Sequence, residues 1–99
     1  MTRDDILARL RAHADELRRR YGVDSAILFG SRARSAARDG SDIDVAIRFS
    51  PPAPASVMAV CGVSGYLSDA LGVDVDIVQL PVSDPGLSEA IERDGARAF

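Results

Sequence analysis

Apolar residues recur at helical spacing from the start of the chain. Ile6, Leu10, Leu17 and Tyr21 fall near one face, with Leu7 and Ala14 beside them. Thr2 followed by Asp5 has the form of a capping box, and Gly22 suits a helix C-terminus, so the pattern predicts one helix over about residues 3–21. Ser25 to Phe29 is a short apolar run fit for a buried strand. Ser31 to Ala37 holds good helix formers, and Asp39-Gly40 reads as a turn. Ile43 to Phe49 is a second strand, stopped by Ser50-Pro51-Pro52-Ala53-Pro54, a connection too short for an inter-domain linker.

From Ala55 to Leu71, the residues Val57, Val60, Cys61, Leu67 and Leu71 repeat at helical spacing. Gly62 and Gly65 weaken that helix, and Gly72 ends it. Cys61, on the apolar stripe, is expected to be a small core residue. Val73 to Leu80 alternates Val and Asp before Ile77-Val78 and reads as a third strand with a polar face near its start. Pro81 and Asp84-Pro85-Gly86 close it. A short helix over Leu87 to Glu92 follows, and then a brief strand or frayed end from Ala96 to Phe99. Helices alternating with short strands predict an α/β (α+β) fold: a small mixed β-sheet flanked by helices, in one domain over residues 1–99.

Composition narrows the class. Ninety-nine residues allow a single core. No apolar run approaches the roughly 20 residues of a membrane span. The charged N-terminus lacks the apolar segment of a secretory signal. The one cysteine, Cys61, allows no internal disulfide, so a cytoplasmic protein is expected. The formal net charge is −3, and all 12 basic residues are arginine. That balance argues against stand-alone nucleic-acid binding, which needs a basic face. Arg18-Arg19-Arg20 reads as a solvated helix end that complements the helix dipole. His13 has no ligand pattern near it and reads as a surface or half-buried residue.

The candidate chemistry lies in the carboxylates. Asp42 and Asp44, two apart on a strand, share one face and repel each other. A divalent cation removes that cost, and oxygen-only ligands favour Mg²⁺ or Mn²⁺. The third strand offers Asp74 and Asp76, either of which could join the first pair if the strands are neighbours. Three carboxylates could then hold two metal ions around a phosphoryl transfer, with one accepting the proton of an attacking hydroxyl. Gly30-Ser31, at a strand-to-helix turn, offers close backbone approach, free N–H groups and a hydroxyl to a phosphate. Arg34, Arg32 or Arg38 could pair with phosphate oxygens. A Gly-Ser turn or an Asp-x-Asp pair is ordinary alone; their joint order with a later carboxylate is specific.

Gly30-Ser31-Arg32-Ala33-Arg34, followed by Ser41-Asp42-Ile43-Asp44-Val45, resembles the signature of the DNA polymerase β-like nucleotidyltransferases. The minimal nucleotidyltransferases (MNT), which are little more than the catalytic core, are the branch it is most similar to. Val75-Asp76-Ile77-Val78 resembles the strand that carries their third carboxylate. The resemblance implies a polymerase β-like core, with Asp42 and Asp44 as the metal-binding pair. Asp76 rather than Asp74 would be the third ligand and a possible base. Gly30, Ser31, Arg34 and Ser41 would bind the nucleotide. Two Mg²⁺ ions, or Mn²⁺, would be the cofactor and ATP the substrate. Ser35 departs from the pattern, since many relatives have glycine there.

The resemblance further implies an antitoxin paired with a HEPN-family toxin, an RNA-cleaving helical protein, in a type VII-like pair. Such antitoxins transfer AMP from ATP to a tyrosine hydroxyl of the toxin. Two alternatives stand beside this: a binding module that neutralises its partner by contact, and transfer to a small molecule of the aminoglycoside type. The latter normally uses an added C-terminal domain, for which a chain ending at Phe99 is expected to have no room. A polymerase role is disfavoured by the lack of a nucleic-acid-binding domain. The structural expectation is that Asp76 lies beside Asp42 and Asp44, all facing the Gly30-Ser31 turn.

Overall fold

β1 (Val23–Phe29) and β2 (Ile43–Phe49), seven residues each, pair antiparallel, and this pair is the centre of the structure. The computed structural model describes residues 1–33, 42–51 and 56–99. β3 (Val75–Gln79) adds to β2 in parallel, and β4 (Ala96–Arg97) adds to the free side of β1 antiparallel. The sheet order is β3-β2-β1-β4, a small mixed sheet as the alternation predicts. Among the described residues five helices surround it: α1 (Arg3–Ala12), α2 (Ala14–Tyr21), α3 (Gly30–Ala33), α4 (Val57–Leu71) and α5 (Pro85–Asp94). Among the described residues, no helix is long and apolar enough to cross a membrane.

Strand alternation divides the sheet into two unequal faces. Ile43, Val45 and Ile47 of β2 join Ala26, Leu28 and Val75 in a large core with Ile6, Leu10, Leu17, Val63 and Leu67 of the helices. A bulge between Val23 and Ser25 puts both Val23 and Ala26 into this core. The other face is covered by α5, where Ile91 and Leu87 pack with Phe29, Ala46, Ile27 and Val78. Asp44 and Asp76 alternate with Val45 and Val75 and therefore belong to this second face.

The first helix is interrupted where the spacing predicts continuity. His13 (φ −101°, ψ 5°) ends α1 and starts α2, and its N–H donates to the Leu10 carbonyl at 3.1 Å. A tertiary contact accompanies the break: His13 Nδ1 lies 2.8 Å from the Tyr66 hydroxyl of α4. Ile6, Leu10, Ala14 and Leu17 remain buried across it, so the apolar stripe survives. The capping box at Thr2 forms in both directions: the Asp5 N–H donates to Thr2 Oγ1, and the Thr2 N–H donates to Asp5 Oδ2.

Helix α4 is rotated relative to its expected phase. Val63, Leu67 and Leu71 are its buried residues, whereas Cys61 is exposed and is not a core residue. Val57 and Met58 are 78% and 84% exposed, so the apolar start of the helix lies on the surface. Gly62 lets α2 approach, because a Cβ there would come within 2.7 Å of the Tyr21 ring.

The end of the chain docks. Ala98 N–H donates to the Ala26 carbonyl at 2.8 Å, Ala26 N–H donates to the Phe99 carbonyl at 3.1 Å, and Arg11 Nε donates to the Ala98 carbonyl at 2.7 Å. Arg18 of the triple-arginine run stacks 5.0 Å over the Phe99 ring, and Arg20 lies 5.3 Å from the Tyr21 ring. The run is therefore partly engaged in packing rather than wholly solvated.

Candidate active site

Three chain segments meet at one end of the sheet. β1 ends at Phe29, which pairs with Asp44 of β2, and β3 sets Asp76 opposite Asp44 on the other side. Asp42 immediately precedes β2. β1 then turns at Gly30 (φ +76°) into α3. Glycine is required at this turn twice over: the positive φ disfavours any Cβ, and a Cβ would lie 2.5 Å from Asp44 Oδ2. The Gly30 backbone is thus pressed against the Asp44 carboxylate.

The electrostatics follow from this crowding. Burial pushes the Asp44 carboxyl above its ordinary range, and the negative charges of Asp76 and Asp42 push it further. No ion pair among the described residues neutralises any of the three. As they stand, no three carboxylate, histidine or cysteine donors among the described residues converge into a ready-made metal cage. The donor set nevertheless fits a hard divalent ion: it is all oxygen, it carries negative charge that no ion pair among the described residues neutralises, and Mg²⁺ completes its shell with water and substrate phosphates. Asp74 also lies near this end, exposed and just before β3, but its registered contribution is a main-chain one. Its carbonyl accepts the Ile43 N–H at 2.9 Å.

Ser31 is half-buried in the first turn of α3, directly after Gly30. Arg32 does not fit the phosphate role considered for it. It is only 5% exposed and donates to the Met1 carbonyl at 3.5 Å, tying α3 to the N-terminus. Arg34, Ser35, Arg38 and Ser41 lie outside the described residues. A cavity of about 260 Å³ opens at the far end of the same sheet face, among Ile27, Arg48, Leu80, Val82, Ile91 and Glu92; it contains none of the candidate residues.

Two residues near the site carry no signal in a reading of motifs. Ser64 and Ser68 of α4 both hydrogen-bond the main chain of Val75, next to Asp76. Their spacing of four on a helix preceding the Val-Asp-Ile-Val strand is the only trace they leave in the sequence.

Comparison with known proteins identifies the family and the fold. The nucleotidyltransferase domain family matches residues 10–97. Protein adenylyltransferase MntA of Thermococcus cleftensis is 32% identical over 94 residues, covering 95% of this chain and 93% of that protein. A solved structure assigned provisionally as a minimal nucleotidyltransferase superposes with a TM-score of 0.75 at 31% identity, covering 97% of this chain and 95% of the other. The complex of a tri-AMPylated Shewanella oneidensis HEPN toxin with its MNT antitoxin shares the fold, with a TM-score of 0.67 at 22% identity, covering 94% of this chain and 71% of that one. The chain belongs to the nucleotidyltransferase domain family, in its minimal (MNT) branch.

Proposed function

We propose that this nucleotidyltransferase transfers AMP from ATP to a tyrosine hydroxyl of a HEPN-family toxin and so acts as the antitoxin of the pair. The observation that carries the reading is the β2–β3 register, which sets Asp76 beside Asp44 at the end of the sheet where Gly30 turns. The relative named a protein adenylyltransferase and the toxin–antitoxin complex with the same fold support the choice of acceptor.

In this reading Gly30 and Ser31 receive the triphosphate, the serine hydroxyl donating to a phosphate oxygen. Arg34 and Ser41 complete the nucleotide contacts. Asp42, Asp44 and Asp76 would hold Mg²⁺, with two ions for the three carboxylates; the ion supplies charge neutralisation for the phosphates when bound. The acceptor oxygen attacks the α-phosphorus, the bond from that phosphorus to the bridging oxygen breaks, and pyrophosphate leaves. Asp76 takes the proton of the attacking hydroxyl.

The test is incubation with labelled ATP, Mg²⁺ and a HEPN-family toxin. Label is expected on a tyrosine of the toxin, absent without Mg²⁺ and absent with Asp42→Ala plus Asp44→Ala. Undiminished transfer by that double variant would overturn the proposal.

A second reading, neutralisation by contact alone, has the exposed apolar start of α4 in its favour, where Val57, Met58 and Cys61 all face outward. Full neutralisation of the toxin by the double-alanine variant would select it.

A further inference from the structure

We infer that Ser64 and Ser68 are positioning residues for Asp76, clamping β3 so that its carboxylate stays in register with Asp44. The inference rests on the reading of Asp76 as part of the site.

Among the described residues β3 is an edge strand, with β2 on one side only. In a parallel pair, successive residues alternate between directing their main-chain groups at the partner and away from it. The Ile43 N–H donates to the Asp74 carbonyl at 2.9 Å, so Asp74 faces β2 and Val75 faces outward. An outward residue on an edge has no ladder partner. Here α4 supplies both. Ser64 Oγ donates to the Val75 carbonyl at 2.7 Å, and the Val75 N–H donates to Ser68 Oγ at 3.0 Å. Side chains four apart on a helix lie one above the other, which matches the two groups of a single extended residue.

Packing alone does not require these serines. Val63, Leu67 and Leu71 bury the helix, and serine in mid-helix tends to compete with the helix's own hydrogen bonds. What the hydroxyls add is directional. A strand held to a helix only by apolar contact can shift along it, and a one-residue slip of β3 would replace Asp76 on the site face by valine or isoleucine. Even a shift of about 1 Å costs on the order of 100-fold in a reaction that depends on alignment. With Val75 fixed from outside and Asp74 from inside, Asp76 follows a residue with both main-chain groups fixed.

The test compares Ser64→Ala plus Ser68→Ala with Ser56→Ala. The latter removes the cap of the same helix, where the Ala59 N–H donates to Ser56 Oγ, without touching β3. For the double variant, kcat is expected to fall about 10- to 100-fold with KM for ATP within about twofold. Mn²⁺ affinity, titrated directly, should weaken several-fold, and the Val75 and Asp76 amides should exchange faster with deuterium. Ser56→Ala should leave kcat and Mn²⁺ affinity near wild type at a comparable loss of thermal stability. Ser64→Thr, which keeps a hydroxyl, should restore both. If the double variant proves unfolded, Ser64→Ala alone should show the same pattern in smaller measure. Unchanged kcat and Mn²⁺ affinity in the serine variants, or an equal loss in Ser56→Ala, would overturn the inference. If wild type transfers no AMP but Mn²⁺ affinity still depends on the serines, the clamp stands and the transfer reading falls.

Discussion

A side chain cannot be placed between Gly30 and Asp44: a Cβ on the glycine would sit 2.5 Å from the Asp44 carboxylate oxygen. One turn therefore satisfies two demands, a left-handed backbone at φ +76° and an open approach to the carboxylate. Gly22 provides a comparison, since it has a similar φ of +71° but nothing within 4 Å of its would-be Cβ. Gly22→Ala should cost about 1 kcal/mol, the conformational penalty alone. Gly30→Ala should cost about 2–3 kcal/mol, because strain and displacement of Asp44 add. Its transfer activity should also fall by roughly 100-fold, as expected for a misplaced reacting group. Urea denaturation and label transfer on both variants check this; equal stability losses would deny the close approach any energetic role.

The crowding of carboxylates predicts that the metal-free site is held at some cost to the fold. Asp44 is raised first by burial and then by Asp76 and Asp42, so the native state favours its protonated form. For an acid raised in this way, the relative stability is present at low pH and is lost as pH rises through the folded value. Asp44→Asn removes the charge. In metal-free buffer near neutrality it should be more stable than wild type by about 0.5 kcal/mol, a figure reduced for solvent screening of a half-exposed group. That corresponds to a melting temperature higher by about 2–4 °C. The gain should shrink as pH falls below the ordinary carboxylate range, and AMP transfer should be lost at every pH. A melting curve of Asp44→Asn below that of wild type at neutral pH would contradict the repulsion.

Much of the fold was legible because its signals are local. Ile43 to Phe49 alternates, the Thr2–Asp5 box is a fixed spacing, and Gly72 ends α4 in a left-handed cap at φ +75°. What was not legible depends on partners far along the chain. The break at His13 coincides with a contact to Tyr66, 53 residues away. The phase of α4 was misread because Val57 and Cys61 are apolar yet exposed, while Ser64 and Ser68 are polar yet turn toward β3. Leu67 and Leu71 of the expected stripe are buried, and only its Val57 and Cys61 lie on the surface. At the candidate site the motif order is written in the sequence, but the closeness of Gly30 to Asp44 and the inward turn of Arg32 are tertiary facts.

The two glycines inside α4 should respond oppositely to alanine. Gly65 is exposed, with nothing within 4 Å of its would-be Cβ, so Gly65→Ala should gain about 0.5–1 kcal/mol from helix propensity. At Gly62 the same gain meets a Cβ 2.7 Å from the Tyr21 ring, which is itself held by edge contact with Tyr66 at 6.0 Å and by Arg20. Overpacking costs about 1–3 kcal/mol, so Gly62→Ala should be neutral to destabilising. Thermal melts of both variants test the ordering; an equal rise in both would mean that the Tyr21 ring moves aside at no cost.

The β2–β3 register separates two aspartates that the sequence leaves equivalent. Asp76 stands opposite Asp44, whereas Asp74 precedes the strand and is fixed through its carbonyl to Ile43. Both side chains are exposed, so replacing either by asparagine should leave stability within about 0.5 kcal/mol. Their catalytic consequences should diverge. If Asp76 accepts the proton of the attacking hydroxyl, Asp76→Asn should lower kcat by about 10²–10⁴-fold. Asp74→Asn keeps the main-chain bond to Ile43 and should change kcat by no more than about threefold, the scale of a weakly coupled exposed charge. Steady-state transfer of labelled AMP to the toxin measures both. A large loss in Asp74→Asn with a small one in Asp76→Asn would reassign the third carboxylate and require β3 to bind β2 in another register during turnover.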